Sequence, residues 1–347
     1  MVETNKSSAL RYGTGQVRHD AVGRPLRYKR LMALCVGGCI LLALPFLGLP
    51  DFYIGLFTQA WVLAIAAMGL DLLLGYTGLV SFTHGAIFGV GAYAVAIAAV
   101  KFGLQGWFWG LGLGVGFAVA VSIIFALVSL RTLGATFIII TLALNQILWG
   151  TAQQWISLTG GDNGIVGFSR PTIFGISLES ATSYYVFSLL VLFGAAAVLR
   201  MVVGSNFGLG LIGIRDQPAR MEALGYNPWL HRVITFILGG AFAGLGGVLF
   251  ANYNLFVSPE QMHVGLSVDL LLMVVLGGRA TIYGSIAGAL VIVVLGNYLS
   301  GFTDRWHMIL GAMYVVVVLY FDQGFAGAAR RCVALLKRLK PMAYERE

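Results

Sequence analysis

Long apolar runs follow one another through almost the whole chain, each closed by a charged, polar or Gly/Pro-rich interruption. A bilayer core about 30 Å thick takes about 20 apolar residues of helix, so these runs predict membrane-spanning helices. Ten are expected, near 31–50, 53–74, 79–100, 107–130, 133–155, 182–203, 232–254, 266–277, 282–300 and 305–322. The eighth is too short to cross without tilting or sharing a re-entrant segment. The expected fold class is an all-α polytopic membrane protein, and its two longest connections are 156–181 and 204–231.

Composition supports this reading and closes off others. Of 347 residues, 59% are hydrophobic and 10% charged, with a mean hydropathy of +0.87. Soluble domains carry about 25% charged residues, which excludes an ordinary cytoplasmic enzyme, a nucleic-acid-binding domain and a disordered regulator. The net charge of +8 then reads as a record of topology, because cytoplasmic loops of membrane proteins hold the excess of Lys and Arg.

A cytoplasmic start puts Lys6, Arg11, Arg18, Arg24, Arg27, Lys29 and Arg30 inside, with Arg131, Arg200, Arg215, Arg220, Arg232 and Arg279. Arg330, Arg331, Lys337, Arg338, Lys340 and Arg346 follow at the far end, leaving only Lys101, Arg170 and Arg305 outside, 19 basic residues against 3. Both termini and 204–231 are therefore expected in the cytoplasm and 156–181 outside. The organisation expected is a basic tail at 1–30, a membrane domain at 31–325 and a second basic tail at 326–347. No early apolar stretch or small-residue cleavage pattern marks a signal peptide, so the first run is read as a retained helix. Cys35 and Cys39 lie one helical turn apart and Cys332 is distant, an arrangement unlike a disulfide scaffold.

Catalytic signatures are missing. Lys6-Ser7 stands too near the start to close a P-loop, so no phosphate cradle is found and the chain is not its own ATPase. There is no H-E-x-x-H and no G-x-S-x-G, and no two of His19, His84, His231, His263 and His307 share the i, i+4 spacing of a helical metal pair. No metal or cofactor is expected in this chain.

Four polar interruptions carry what chemistry there is. The first is Leu74-Gly75-Tyr76-Thr77-Gly78-Leu79-Val80-Ser81-Phe82-Thr83-His84-Gly85, preceded by Asp71. Its glycines and hydroxyls suit a broken or re-entrant segment lining a polar cavity, with close helix packing through Gly85, Gly89 and Gly91 as the alternative. Asp71 is read either as a functional intramembrane carboxylate or as a solvated residue at the rim. The second is Asn145-Gln146, an amide pair deep in a span, where amides face a cavity or a partner helix. Asp71, Ser81, Thr83, His84, Asn145 and Gln146 are the residues expected along a translocation path. The third, Thr159-Gly160-Gly161-Asp162-Asn163-Gly164, predicts a tight external turn through positive-φ positions. The fourth runs from Ile214 to Pro228; Asp216 as cap, Pro218 in the first turn and Gly225 as stop predict a short helix over 217–224 outside the bilayer. A solvated surface helix and a docking element for a cytoplasmic partner both fit it.

Together these segments resemble the inner-membrane permeases of branched-chain amino acid ABC importers, of the LivM type. The resemblance covers about 70–325. It rests on the Leu73-to-Tyr93 stretch, T-L-A at 141–143, T-G-G-D-N-G at 159–164, I-R-D at 214–216, E-A-L-G at 222–225, S-P at 258–259 and the block from Met273 to Ala289. It departs from the family at Asp71, often Asn there, at Ala280, often Gly, and at Ser285, often Pro. The resemblance implies a homologous second permease, two cytoplasmic ATP-binding subunits that bind the ATP, a periplasmic binding protein and a small-molecule cargo. It implies Arg215, Asp216, Glu222 and Gly225 as the ATPase-coupling residues and Thr159, Gly160, Gly161 and Asp162 as the binding-protein contact. Relatives are associated with branched-chain and other amino acids, urea, short amides or aromatic acids. The competing class is an ion-coupled carrier or channel, which would bury several charges along its path, whereas Asp71 and Asp269 are the only candidates here. A membrane enzyme would need a nucleophile or metal constellation that the sequence lacks.

Overall fold

The computed structural model describes residues 37–302 apart from 49, 105 and 174, together with 305, 308, 309, 311, 312 and 315. The two basic tails, the start of the first apolar run and most of the run at 305–322 lie outside these described residues. Seven described helices are long and apolar enough to cross a membrane: α1 Asp51–Thr77, α2 His84–Phe102, α3 Trp107–Ser129, α4 Ala135–Gln154, α5 Ala181–Gly204, α8 Pro228–Asn254 and α10 Ile282–Ser300. Between α5 and α8 lie two shorter helices, α6 Asn206–Asp216 and α7 Pro218–Ala223, and α9 Val264–Gly277 precedes α10. A short apolar helix at Gly37–Leu47 stands where the first run was expected. Ten spanning helices are thus not what the described residues contain; seven are, with two shorter apolar helices beside them. α9, at 14 residues, is about 21 Å long and falls short of a bilayer core.

The bundle is built around α8, whose glycines let neighbouring backbones approach. In lipid the apolar surface of a helix gains little by meeting another, so association relies on close packing through small residues. α1 and α8 run antiparallel: Gly55 faces Tyr253, and fourteen residues further along α1 Gly69 faces Gly239. A Cβ on Gly69 would stand 2.6 Å from the Gly239 carbonyl oxygen, and one on Gly239 2.7 Å from that of Gly69. Across α8, α3 presents Gly114, Ala118 and Ser122 to Val248, Gly244 and Gly240, a ladder of small residues at four-residue spacing. α2 lies between them with Gly91 against Gly244. α9 and α10 form a tight hairpin on α1, Gly277 and Gly288 in contact with the backbones of Gly284 and Met273.

Only four two-residue strands occur among the described residues, β1 Ile165–Val166 with β4 Phe256–Val257 and β2 Thr172–Ile173 with β3 Ile176–Ser177, both pairs antiparallel. The β1–β4 pair ties the connection after α4 to the segment after α8. Arg170 fastens it further, donating to the carbonyls of Glu179 (2.7 Å) and Tyr253 (3.0 Å) and standing over the Tyr184 and Tyr253 rings.

Candidate functional site

The chain is broken between helices at Gly78–Thr83, within the Leu74–Gly85 stretch that suggested a break. α1 continues to Thr77 and ends at Gly78 in the left-handed conformation (φ 76°). Six residues later α2 begins at His84, at the depth of Gly239, well inside the bundle. A second segment enters from the opposite end. After α8 the chain turns through β4 and a 3-10 turn at Pro259–Met262, and Met262 packs on Gly89 before α9 starts at Val264. The N-termini of α2 and α9 therefore meet inside the bundle, where their unpaired amide groups need partners.

Side chains from three elements supply them. Ser267 Oγ accepts from Gly85 N (2.9 Å) and donates to Phe82 O (2.6 Å). Asn145 Oδ1 accepts from Ala86 N (3.2 Å), and its Nδ2 donates to Met262 O (3.0 Å). Ser81 and Thr83 pair through their hydroxyls at 2.9 Å, and Phe82 N donates to Thr141 Oγ1 (3.3 Å). All five of Ser81, Thr83, Thr141, Asn145 and Ser267 are fully buried. His84 lies beside this knot, also fully buried, with its ring 5.9 Å from that of Phe236. Neither of its nitrogens has a hydrogen-bond partner among the described residues.

The structure thus brings Ser81, Thr83, His84 and Asn145 together and separates Asp71 and Gln146 from them. The glycines between them pack instead of lining space: Gly85 meets Ser267, Gly89 meets Met262 and Gly91 meets Gly244. Gln146 points to the other side of α4, half-exposed, on a face it shares with Ile139, Ala143, Ile147 and Gly150 that nothing among the described residues covers.

Asp71 is buried, not solvated. It is 1% exposed, and its Oδ1 accepts from Ala280 N at 2.8 Å, so it holds the turn between α9 and α10. Ser267 was missed because it opens a run read only for its apolar length, and its partners lie 182 and 185 residues away.

At the Arg215 end the expected helix forms with different bounds and a different cap. α7 runs Pro218–Ala223, its N-cap is Gln217, and no side chain caps it. Asp216 instead closes α6 and accepts from Arg215 Nε at 3.0 Å. The expected stop is present: Gly225 has φ 88°, Gly225 N donates to Glu222 O (2.9 Å) and Tyr226 N to Met221 O (3.0 Å), the paired bonds of a Schellman turn. Glu222 is exposed, whereas Arg215 turns inward and donates from Nη1 to Gly75 O at 2.7 Å.

At the opposite end the Thr159–Gly164 turn has the expected left-handed glycines, Gly160 (φ 80°), Gly161 (φ 58°) and Gly164 (φ 64°). Thr159 and Gly161 are buried; the Thr159 hydroxyl bonds to the carbonyls of Ala152 (2.6 Å) and Trp155 (2.8 Å) and braces the end of α4. Asp162 is the member that reaches the surface, where it accepts from Gln153 Nε2 at 3.3 Å.

A bundle of apolar, membrane-length helices in which two helix N-termini meet over a buried polar knot is an architecture suited to membrane transport. Residues 52–319 match the family model described as branched-chain amino acid transport system / permease component, and the chain belongs to that family. It is a multi-pass permease subunit of an ABC importer in the inner membrane, and its relatives in this family are transport components. It is 27% identical over 323 residues to the high-affinity branched-chain amino acid transport system permease protein LivM of Salmonella typhimurium, covering 86% of this chain and 75% of that one. The Escherichia coli K12 protein of the same name is 26% identical, over 79% of this chain and 69% of its own. The autoinducer 2 import system permease protein LsrC of Escherichia coli SMS-3-5 is 29% identical over 58% of this chain and 56% of its own. No solved structure matches the chain at a significant level.

Proposed function

We propose that this permease carries branched-chain amino acids inward as one half of a translocation unit. Its partners are a homologous second permease, two cytoplasmic ATP-binding subunits and a periplasmic binding protein. The observation that carries the reading is the α6–α7 segment. α6 packs on the bundle through Leu211 and Ile214, and α7, held to it by Met221 on Gly213 and closed by the Schellman turn, stands exposed with Arg220 and Glu222 at the surface. A permease without a P-loop must receive the work of ATP hydrolysis through a stiff contact of this kind. That end of the bundle is cytoplasmic, and the Asp162 end is periplasmic and receives the binding protein. Gln146 and the uncovered face of α4 border the path between the two permeases, since a side-chain amide midway along a span is costly against lipid and suits a cavity or a partner chain. The knot around Ser81, Thr83, His84 and Asn145 forms the closed floor of the re-entrant segments beside that path.

Reconstitution in vesicles with the ATP-binding subunits and the binding protein tests this. ATP-dependent uptake of labelled leucine is expected, and Glu222→Lys or Gly225→Val should lose ATPase copurification and uptake while insertion stays normal. Uptake of urea, acetamide or phenylalanine in place of leucine would reassign the cargo. Wild-type uptake and copurification in both variants would remove the coupling role from α7.

A further inference from the structure

The cytoplasmic end of α1 joins two segments far apart in sequence, and the way it does so suggests how movement is passed on. Gly75 lies in the last turn of α1, where carbonyl groups have no partner within the helix. Its oxygen is taken by Arg215 Nη1 at 2.7 Å, a cation placed at the negative end of the helix. The Arg215 stem crosses Gly78 with Cγ 3.0 Å from where a Cβ would stand, and its Nε is held by Asp216. On the other side of the same turn α1 grips the α9–α10 connection by both faces of one residue. Asp71 Oδ1 accepts from Ala280 N (2.8 Å) and Tyr76 Oη donates to Ala280 O (3.1 Å). Gly75 is what lets the two approach: a Cβ there would stand 2.5 Å from Asp71 Oδ1 and 2.7 Å from Ala280 Cα. Ala280 itself is held at φ 58°, a left-handed conformation that a residue with a side chain adopts at some cost.

We propose that Arg215, the Gly75 turn of α1 and the Asp71–Ala280–Tyr76 clamp form a relay that carries displacement of the α6–α7 segment to the start of α10. Arg215 and Asp71 are positioning residues in it, acting on backbone groups and touching no cargo. This rests on the proposed docking of the ATP-binding subunits to α7 and adds what that docking drives. The geometry favours a relay over three separate braces because the links to Gly75 and Ala280 are short, part-buried and gathered on the last two turns of α1, so a displacement of α6 that carries this end of α1 with it also loads the Ala280 turn. Asp71 acts through Oδ1, which accepts the Ala280 amide proton, a role that an Asn side-chain oxygen can also fill.

The test uses the full complex with its ATP-binding subunits in lipid nanodiscs or vesicles. Spin labels at Val128→Cys on α3 and Tyr283→Cys at the start of α10 report α10 movement; both sites are exposed and lie toward the cytoplasmic end. With Arg215 and Asp71 intact, trapping with ATP and vanadate should shift the label distance. Arg215→Ala and Asp71→Leu should each abolish the shift and lower the cargo carried per ATP hydrolysed about tenfold, within the range that residues along a coupling network produce, while ATPase copurification persists. Asp71→Asn should restore both readouts, which a charged path residue would not allow. A shift that persists in Arg215→Ala and Asp71→Leu, no shift without these substitutions, or failure of Asp71→Asn to rescue would each overturn the relay. Failure of the ATP-binding subunits to copurify with the otherwise unaltered chain would instead remove the docking reading, and the relay with it. Should Asp71→Leu not insert, Arg215→Ala with Arg215→Lys as its conservative partner decides alone: Lys can donate one bond to Gly75 O and should recover part of the shift.

Discussion

Asn145 and Gln146 are neighbours in sequence and opposite in role, which one turn of helix explains: successive residues point about 100° apart. Asn145 is buried with both amide groups bonded, and Gln146 faces outward from the bundle. Asn145→Leu leaves Ala86 N and Met262 O unpaired at membrane depth, an expected loss of about 1–3 kcal/mol, read as a lower melting temperature in detergent. Gln146→Leu should leave the melting temperature within a degree or two and reduce leucine uptake instead. Equal thermal losses in the two variants would contradict the assignment. His84 separates differently: with no hydrogen-bond partner among the described residues, His84→Phe keeps the packing on Phe236 and should insert normally. Undiminished uptake in that variant would make His84 a packing residue only.

The glycines act on the scale of helix pairs. A helix in lipid gains association from close backbone approach, and a single added methyl group forces two helices apart. Gly244 on α8 faces the Ala118 Cβ on α3, with too little room for a second methyl between them. Gly244→Ala is expected to destabilise the bundle by about 1–3 kcal/mol, and Ala118→Gly in the same chain should recover part of that. A double-mutant cycle in detergent unfolding measures the interaction; purely additive effects would place the contact elsewhere. Gly225 is a different case, since open space surrounds it and only its φ of 88° matters. Gly225→Ala should therefore act on the direction of α7, weakening ATPase association while the melting temperature of the bundle moves little.

For the whole molecule the ordering of ends is the prediction with most consequence. α1 and α8 are antiparallel, and Arg215, Gly75 and Ala280 gather at one end while Tyr253, Asp162 and Asp51 belong to the other. In a chain with Cys35, Cys39 and Cys332 replaced, an impermeant thiol reagent added to intact cells whose outer membrane has been made permeable should label Asp162→Cys. Glu222→Cys should react only after the inner membrane is opened. The reverse pattern would invert the transporter and transfer the binding-protein and ATPase roles to opposite ends.

Membrane insertion reads local chain properties, and those are visible in the sequence: hydropathy places the seven long described helices within a few residues, though not the count of ten, and the Gly225 stop follows from one residue and its neighbours. The limits of local reading show at Asp71, Ser267 and Arg215. Their partners, Ala280, Gly85 and Gly75, are 209, 182 and 140 residues away, so no local pattern could say whether each polar group faced water, cargo or an unpaired amide. The expected Asp216 cap is absent because α6 extends through Asp216 and the N-cap position of α7 falls on Gln217. Tertiary packing decided these cases: in a medium without water a buried polar group is costly without a partner, and only the folded chain determines which partners are in reach.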